Sequence, residues 1–260
     1  MKSFFRMTYP YILWIALFVV APMIMILLYA FTKDGGNRTL IFRFTLDNFI
    51  RFFQDPTFTK VLLTSLRIAL ITTVFCILIG YPAALIIANL PERLQTLMVL
   101  LLTLPMWINM LLKTYAWRGI LNDFTLNSEI KVFIGMVYDF LPYMIIQIHT
   151  AIAKMDRDLL TAAYDLGANR WKTFLKVTLP LSVPGIISGI TLVFLPAVSS
   201  FVIPKLLGGG DYVLIGNLIE TFFISTGDWN FGSAISLVMA LIIIASMWVT
   251  RKLDRNAQTE

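Results

Sequence analysis

Asp156–Pro180, DRDLLTAAYDLGANRWKTFLKVTLP, lies between two long apolar runs and is the longest polar-rich passage that still reads as folded. Asp158 stands just ahead of Leu159, Leu160, Ala162 and Ala163, the pattern of a short helix opened by a side chain that accepts from its free N–H groups. Gly167 follows where a helix ends in a left-handed residue, so a positive φ is expected there. Beyond it Trp171, Phe174, Leu175 and Val177 recur at helical spacing against Arg170, Lys172 and Lys176, and Pro180 closes this second run. Two short helices at a bend make a projecting knob, a shape for docking onto another protein.

The surrounding chain is a membrane protein by composition. Of 260 residues 58% are hydrophobic and only 14% charged, with mean hydropathy +0.79, where a soluble domain carries about 25% charged residues. The net charge of +6 fits basic loops that orient spans and meet anionic headgroups, and argues little for nucleic acid. The lone Cys76 lies in an apolar run and can form no intrachain disulfide.

Six spans are predicted, at about 10–31, 61–90, 97–117, 132–153, 181–204 and 232–250, with the polar loop at 154–180. Lys2 and Arg6 precede the first, whose apolar core is longer than the roughly 7–15 residues of a signal peptide. It is therefore expected to be retained. Thr32–Lys60 reads as a polar loop, with Asp34, Gly35, Gly36 and Asn37 as turn formers and Phe42, Phe44, Leu46, Phe49, Phe52 and Phe53 packing on the membrane face. Arg67 is expected to snorkel to the near interface, and Gly80-Tyr81-Pro82 to interrupt the second span. Glu92 and Arg93 are expected in a tight turn. The third span is short, extended by an interfacial end carrying Trp107, Lys113, Tyr115, Trp117 and Arg118. Asp139 and His149 fall inside the fourth. Gly185 and Gly189 allow a close helix approach in the fifth, as do Gly232, Ser236 and Ala240 in the sixth. Gly208–Gly210 read as a turn before Asp211. An even number of spans puts both termini on one side. The charge rule leaves that side open, because eleven of 21 basic residues, Arg251, Lys252 and Arg255 among them, fall with the termini.

No catalytic pattern emerges. The sequence has no G-x-x-x-x-G-K-[ST] to cradle nucleotide phosphates, no G-x-S-x-G elbow, and a single His, too few for a metal cluster. No cofactor is expected, and any energy source is a separate subunit or an ion gradient.

Ala162-Ala163, three residues, Gly167, nine residues, Val177, one residue and Leu179-Pro180 resemble the EAA loop of ABC-importer permeases. Thr161 replaces the first-position Glu and Val177 the Ile of that pattern. FTLDNFIRFF (44–53), GYPAALIIANLP (80–91), LPMWINMLLKTYAW (104–117), DLGA (165–168), LPAVSSFVIPKLLGGG (195–210) and IGNLIE (215–220) are similar to spermidine/putrescine importer permeases, nearest to the B-type subunit. The resemblance implies an all-α membrane protein of six transmembrane helices with the type I ABC-importer permease (MetI-like) fold. It implies as partners a second homologous permease, two ABC ATPase subunits and an extracytoplasmic binding protein. It puts both termini in the cytoplasm of a bacterial cell and implies no catalysis by this chain. ATPase coupling would fall to Thr161, Ala162, Ala163, Asp165, Gly167, Leu179 and Pro180, and Phe194–Ile203 would line the pathway.

A di- or triamine leaving water needs carboxylates and aromatic faces. Asp139 with Tyr143 is the first candidate, followed by Trp107, Phe194, Phe201, Glu220, Asp228 and Trp229. The plain alternative for each outer acid is a solvated loop carboxylate. Rival readings are an ABC importer of an amino acid, phosphate or sulfate, and a secondary transporter, which would need no docking knob.

Overall fold

An apolar run in lipid can satisfy its backbone only within itself, so it forms a helix. The computed structural model describes residues 10–34 and 40–257. Lys2, Arg6, Gly35, Gly36 and Asn37, and the side chains of Asp34, Phe42 and Arg255, lie outside the described residues. In chain order the elements are α1 (Pro10–Ala30), β1 (Thr32–Asp34), β2 (Leu40–Phe44), α2 (Asp47–Gln54), α3 (Pro56–Ala88), α4 (Glu92–Trp107) and α5 (Met110–Asn122). Then come α6 (Ser128–Ala153), α7 (Arg157–Asp165), α8 (Arg170–Ser199), α9 (Val202–Leu207), α10 (Ile215–Glu220) and α11 (Trp229–Ala257). Among the described residues α1, α3, α6, α8 and α11 are long and apolar enough to cross a membrane, and α4 with α5 makes a sixth if the bent pair is one span.

Several sequence expectations are corrected here. The third span is not one rod over 97–117, because α4 and α5 meet at 91°. Ile108 is extended, and the Asn109 side chain accepts from the Leu111 N–H at 2.8 Å, starting a new helix. Glu92 and Arg93 form the first turn of α4 rather than a tight turn. The reversal lies just before them, where the Gln95 amide donates to the Ala88 and Leu90 carbonyls. Pro180 closes nothing: it stands in the first turn of the α-helical part of α8, after a π-helical stretch Phe174–Thr178. A wide turn and a helix start are both places where a missing N–H is tolerated. The expected fifth span, 181–204, ends early at Ser199, and Pro204 belongs to α9. Gly80-Tyr81-Pro82 lies within the unbroken α3. The polar loop at 32–60 holds the antiparallel β1–β2 pair, with Thr32 opposite Phe44, and the helix α2. The segment 205–231 contains α10, a π-helical continuation Thr221–Thr226, and a left-handed Gly227.

The chain divides into two compact units, the first Met1–Lys60 with Leu218–Ile242. Its core is a ring cluster in which Phe231 lies 5.0 Å from Phe58 and 4.7 Å from Phe222, with Phe52 against Phe58. Arg51 stacks over Phe231 at 4.1 Å and pairs with Asp228 at 3.1 Å. The carbonyls released where α1 ends are answered by two amides. Asn48 donates to the Ala30 and Thr32 carbonyls, and the buried Asn230 to those of Tyr29 and Thr32. Asp55 opens α3 by accepting the Thr57 N–H at 2.8 Å, and that bond, joined by the Thr57 hydroxyl, holds its carboxyl below the usual range.

The second unit comprises Val61–Asn217 with Ile243–Glu260. Its core is the packing of α8 on α6, where Met144, Ile148 and Val193 are buried. Gly185 and Gly189 make the close approach possible: a Cβ at Gly185 would lie 2.5 Å from Ala151 Cβ and 2.8 Å from the Gln147 carbonyl oxygen. Both obstacles are fixed by the backbone of α6. Gly185→Val is therefore expected to destabilise the protein by about 1–3 kcal/mol through overpacking, read as a lower midpoint of thermal unfolding in detergent. Gly119→Ala, where nothing lies within 4 Å, should leave the midpoint in place.

Candidate functional site

The knob is built as a helix, a left-handed turn and a second helix start. Asp156, not Asp158, caps α7: its side chain accepts the Asp158 N–H at 3.0 Å, and Asp158 sits in the first turn. Gly167 has φ +77°. The Gly167 N–H reaches the Tyr164 carbonyl at 2.9 Å and the Ala168 N–H the Ala163 carbonyl at 3.0 Å, the paired bonds of a Schellman end. Asn169 then caps α8 by accepting the Lys172 N–H at 2.8 Å. Thr161, standing where the resembled pattern has Glu, donates from Oγ1 to the Arg157 carbonyl of its own helix.

No residue of α7 is buried. Leu166 is 89% exposed and Trp171 66%, a pair of apolar groups that water would not favour at a knob without a partner. Beneath the knob a cavity of about 800 Å³ is lined by Leu90, Pro91, Gln95, Arg157, Tyr164 and Phe174. From Trp171 a line of rings leads inward. Trp171 stacks on Phe174 at 5.6 Å, Phe174 meets Tyr81 of α3 edge-on at 5.7 Å, and the Tyr81 hydroxyl lies 2.8 Å from Ser182 Oγ of α8. Leu179 and Pro180 lie on this same helix, between the rings and Ser182.

The pathway candidates divide between the two units. In the second, Asp139 and Tyr143 stand one turn apart on α6. Asp139 is already engaged: Lys113 Nζ of α5 lies 2.5 Å from its Oδ1, with the two side chains 11% and 14% exposed. Trp107 ends α4, largely exposed, and Phe194 is half-buried on α8. Phe201 sits in the break between α8 and α9, where its carbonyl accepts from the Asn217 amide at 2.7 Å. The same break is braced by the backbone at Gly216, where a Cβ would lie 2.5 Å from the Ser199 carbonyl oxygen. Ser65 Oγ accepts the Ile215 N–H at 2.8 Å and so fixes the bracing segment to α3.

In the first unit, Asp228 has both oxygens in use. Oδ1 accepts the Phe231 N–H at 3.0 Å, capping α11, and Oδ2 meets Arg51. Trp229 packs against Tyr29 and Phe223. Glu220 ends α10 and also has an interaction partner. In the second unit, Arg67 is more than half exposed and pairs with Glu129. Sequence reasoning missed Lys113 as the partner of Asp139, and Asn217 and Ser65 as braces. The visible signals were a Lys inside an apolar aromatic stretch and, for Asn217, a polar residue next to a glycine, whereas nothing beside Ser65 marks it. No group of three or more metal-ligating side chains occurs among the described residues.

Comparisons with known proteins agree with this architecture. A family described as "Binding-protein-dependent transport system inner membrane component" matches residues 77–258, and the chain belongs to that family. It is an inner-membrane transport permease with the fold of ABC-importer permeases, and among the described residues its regular structure is helical apart from the β1–β2 pair. The spermidine/putrescine transport system permease protein PotB of Escherichia coli K12 is 38% identical, the alignment covering 95% of this chain and 98% of that protein. The protein of the same name from Haemophilus influenzae is 37% identical, over 95% and 94%. Among solved structures, a chain of a bacterial ABC transporter that imports the acidic polysaccharide alginate superposes with a TM-score of 0.75 at 16% identity, covering 98% and 96%. A chain of the MetNI methionine ABC transporter gives 0.61 at 13%, covering 76% and 95%.

The geometry at Gly167 isolates a backbone effect, since nothing lies within 4 Å of a Cβ there. A β-branched residue at this φ costs about 1–2 kcal/mol, whereas Asn enters the left-handed region more readily. In the assembled transporter Gly167→Val is expected to lower binding-protein-stimulated ATP hydrolysis and uptake together, with Gly167→Asn near the unmodified level and membrane insertion intact in both. Full activity in the Val variant would reduce the knob to a connector.

Proposed function

We propose that this chain is one permease subunit of an ATP-driven importer of polyamines, spermidine or putrescine. The observation that carries the reading is the 37–38% identity to permeases of that named activity, spread over nearly the whole of both chains. In this reading it pairs with a second, homologous permease above two ABC ATPase subunits, one of which docks on α7, with Ala162 and Ala163 allowing close approach. A binding protein delivers cargo from the opposite face. Both termini then lie in the cytoplasm, on the side of the knob. The chain hydrolyses nothing itself, because it lacks a phosphate-cradling loop.

The knob chemistry supports the coupling role of Thr161, Ala162, Ala163, Asp165, Gly167, Leu179 and Pro180. An uncovered helix ends in a fixed turn, and the chain continues from that turn into α8 without a stop. The pathway is proposed along Asp139, Tyr143, Trp107, Phe194 and Phe201 of the second unit, and Glu220, Asp228 and Trp229 of the first are proposed as further cargo contacts. The test is a proteoliposome carrying the four-subunit transporter with its binding protein. Spermidine uptake should require ATP and the binding protein, and the purified single chain should show no ATPase activity. Uptake without nucleotide, or hydrolysis by the chain alone, sinks the reading. Titrating the binding protein with spermidine, an amino acid, phosphate and sulfate identifies the cargo class directly.

A further inference from the structure

The ion pair between α5 and α6 has a chemical peculiarity. The Lys113 side chain is an aminobutyl group: four methylenes ending in a primary ammonium. Putrescine is that same unit with a second ammonium, and spermidine contains it as one arm. The structure already places this unit on Asp139, Nζ to Oδ1 at 2.5 Å, with both side chains largely withdrawn from solvent. Aromatic surfaces stand beside it. Trp117, one turn beyond Lys113, meets Tyr138, which immediately precedes Asp139, with ring centroids 5.1 Å apart, and Tyr143 follows one turn on. The short helix α9, entered directly from the break at Ser200–Phe201, packs on both helices that carry the pair.

A carboxylate withdrawn from water needs a counter-charge, and removing that charge is costly. Exchanging one primary ammonium for another on the same carboxylate keeps that carboxylate paired, and the displaced Lys113 ammonium swings on its flexible four-carbon stem to water in the pathway. We infer that Lys113 is a resident stand-in for the cargo, an intramolecular ammonium that occupies Asp139 until a polyamine ammonium displaces it. The inference rests on the polyamine reading above and adds to it the residue that sets the strength of the site. In the cargo-free state Lys113 denies Asp139 to small inorganic cations. On arrival of cargo it weakens binding by competition, which lets the polyamine leave again. An importer that receives cargo already selected by a binding protein requires a weak site of this kind.

The experiment measures spermidine affinity of the purified, assembled transporter without its binding protein, by calorimetry and by the shift in thermal midpoint, alongside uptake in proteoliposomes. Lys113→Met removes the competitor and should bind spermidine about tenfold tighter, the gain expected if Asp139 is free roughly a tenth of the time. Lys113→Arg keeps the ion pair but holds it through a guanidinium fork, so affinity and uptake should both fall below the unmodified level. Asp139→Asn, and Asp139→Asn combined with Lys113→Met, should bind no spermidine. A pair that only stabilises the fold gives the opposite pattern: Arg tolerated, Met and Asn equally damaging, and the double variant recovered. That pattern overturns the inference while polyamine uptake by the unmodified transporter stands. Failure of the unmodified transporter to take up either polyamine overturns the polyamine reading, and this inference with it. Because Lys113→Arg preserves the pair and its charge, the comparison survives even if Lys113→Met does not assemble.

Discussion

Inside a bilayer no water is available to a backbone N–H or C=O, so each interruption of a helix has to be answered by another group of the protein. Much of the architecture follows from where those answers come from. At Ile108–Asn109 the answer is local, the Asn109 side chain taking the Leu111 N–H and allowing a turn of 91°. At Ser200–Phe201 it is remote in sequence: Asn217 donates to the Phe201 carbonyl, and its own segment is pinned to α3 by Ser65. At Pro180 the helix widens into a π-stretch before the proline and continues. At the end of α1, two asparagines from different parts of the first unit collect the free carbonyls. Polar side chains in this protein serve mainly to let the chain change direction without leaving an unpaired amide.

Charges follow the same economy. Asp228 is both helix cap and partner of Arg51, which in turn lies over Phe231. Arg67 meets Glu129 and Lys113 meets Asp139, so these two cations of the apolar helices each have a carboxylate partner. Paired charges of this type contribute little net stability against an apolar replacement but penalise the loss of either partner heavily, by about 3–5 kcal/mol where burial is deep. Pairs of that kind specify register between helices more than they strengthen it.

What was legible in the sequence was whatever depends on local pattern. The apolar runs marked the long helices, and Gly167 marked the left-handed turn, because its chemistry is decided within four residues. The spacing from Ala162 to Pro180 led to the family and, through it, the fold. What was not legible depends on partners distant in the chain. Nothing in WINML (107–111) announces a right-angled bend, since the stretch has neither Gly nor Pro and Asn109 interrupts the apolar run at one position only. Asp139 was readable as an intramembrane carboxylate, but helical period alone does not say that Lys113, 26 positions earlier on another helix, faces it. Asp228 looked like a loop acid because a cap and a solvated carboxylate have the same sequence signature. The assignment of Asp158 as cap missed by two residues because Asp156 offers the same side chain in the same context.

The continuity of α8 has a mechanical meaning. Thirty residues run without a break from Arg170, at the knob, to Ser199, at the edge of the unwound stretch beside Phe201. At 1.5 Å per residue that is a rod of about 45 Å. A tilt of about 10° about a point near its middle carries each end, roughly 21 Å away, about 4 Å sideways, more than the length of a hydrogen bond. The softest part of the rod is the π-stretch at Phe174–Thr178, next to the knob, where the ladder of bonds is already loosened. The contact of Gly185 with α6 is the natural fulcrum, placed near the middle and made tight by the missing side chain. The protein thus contains a first-class lever with arms of nearly equal length: compliant on the knob side, stiff on the side that carries the break, with its pivot ground flat by two glycines.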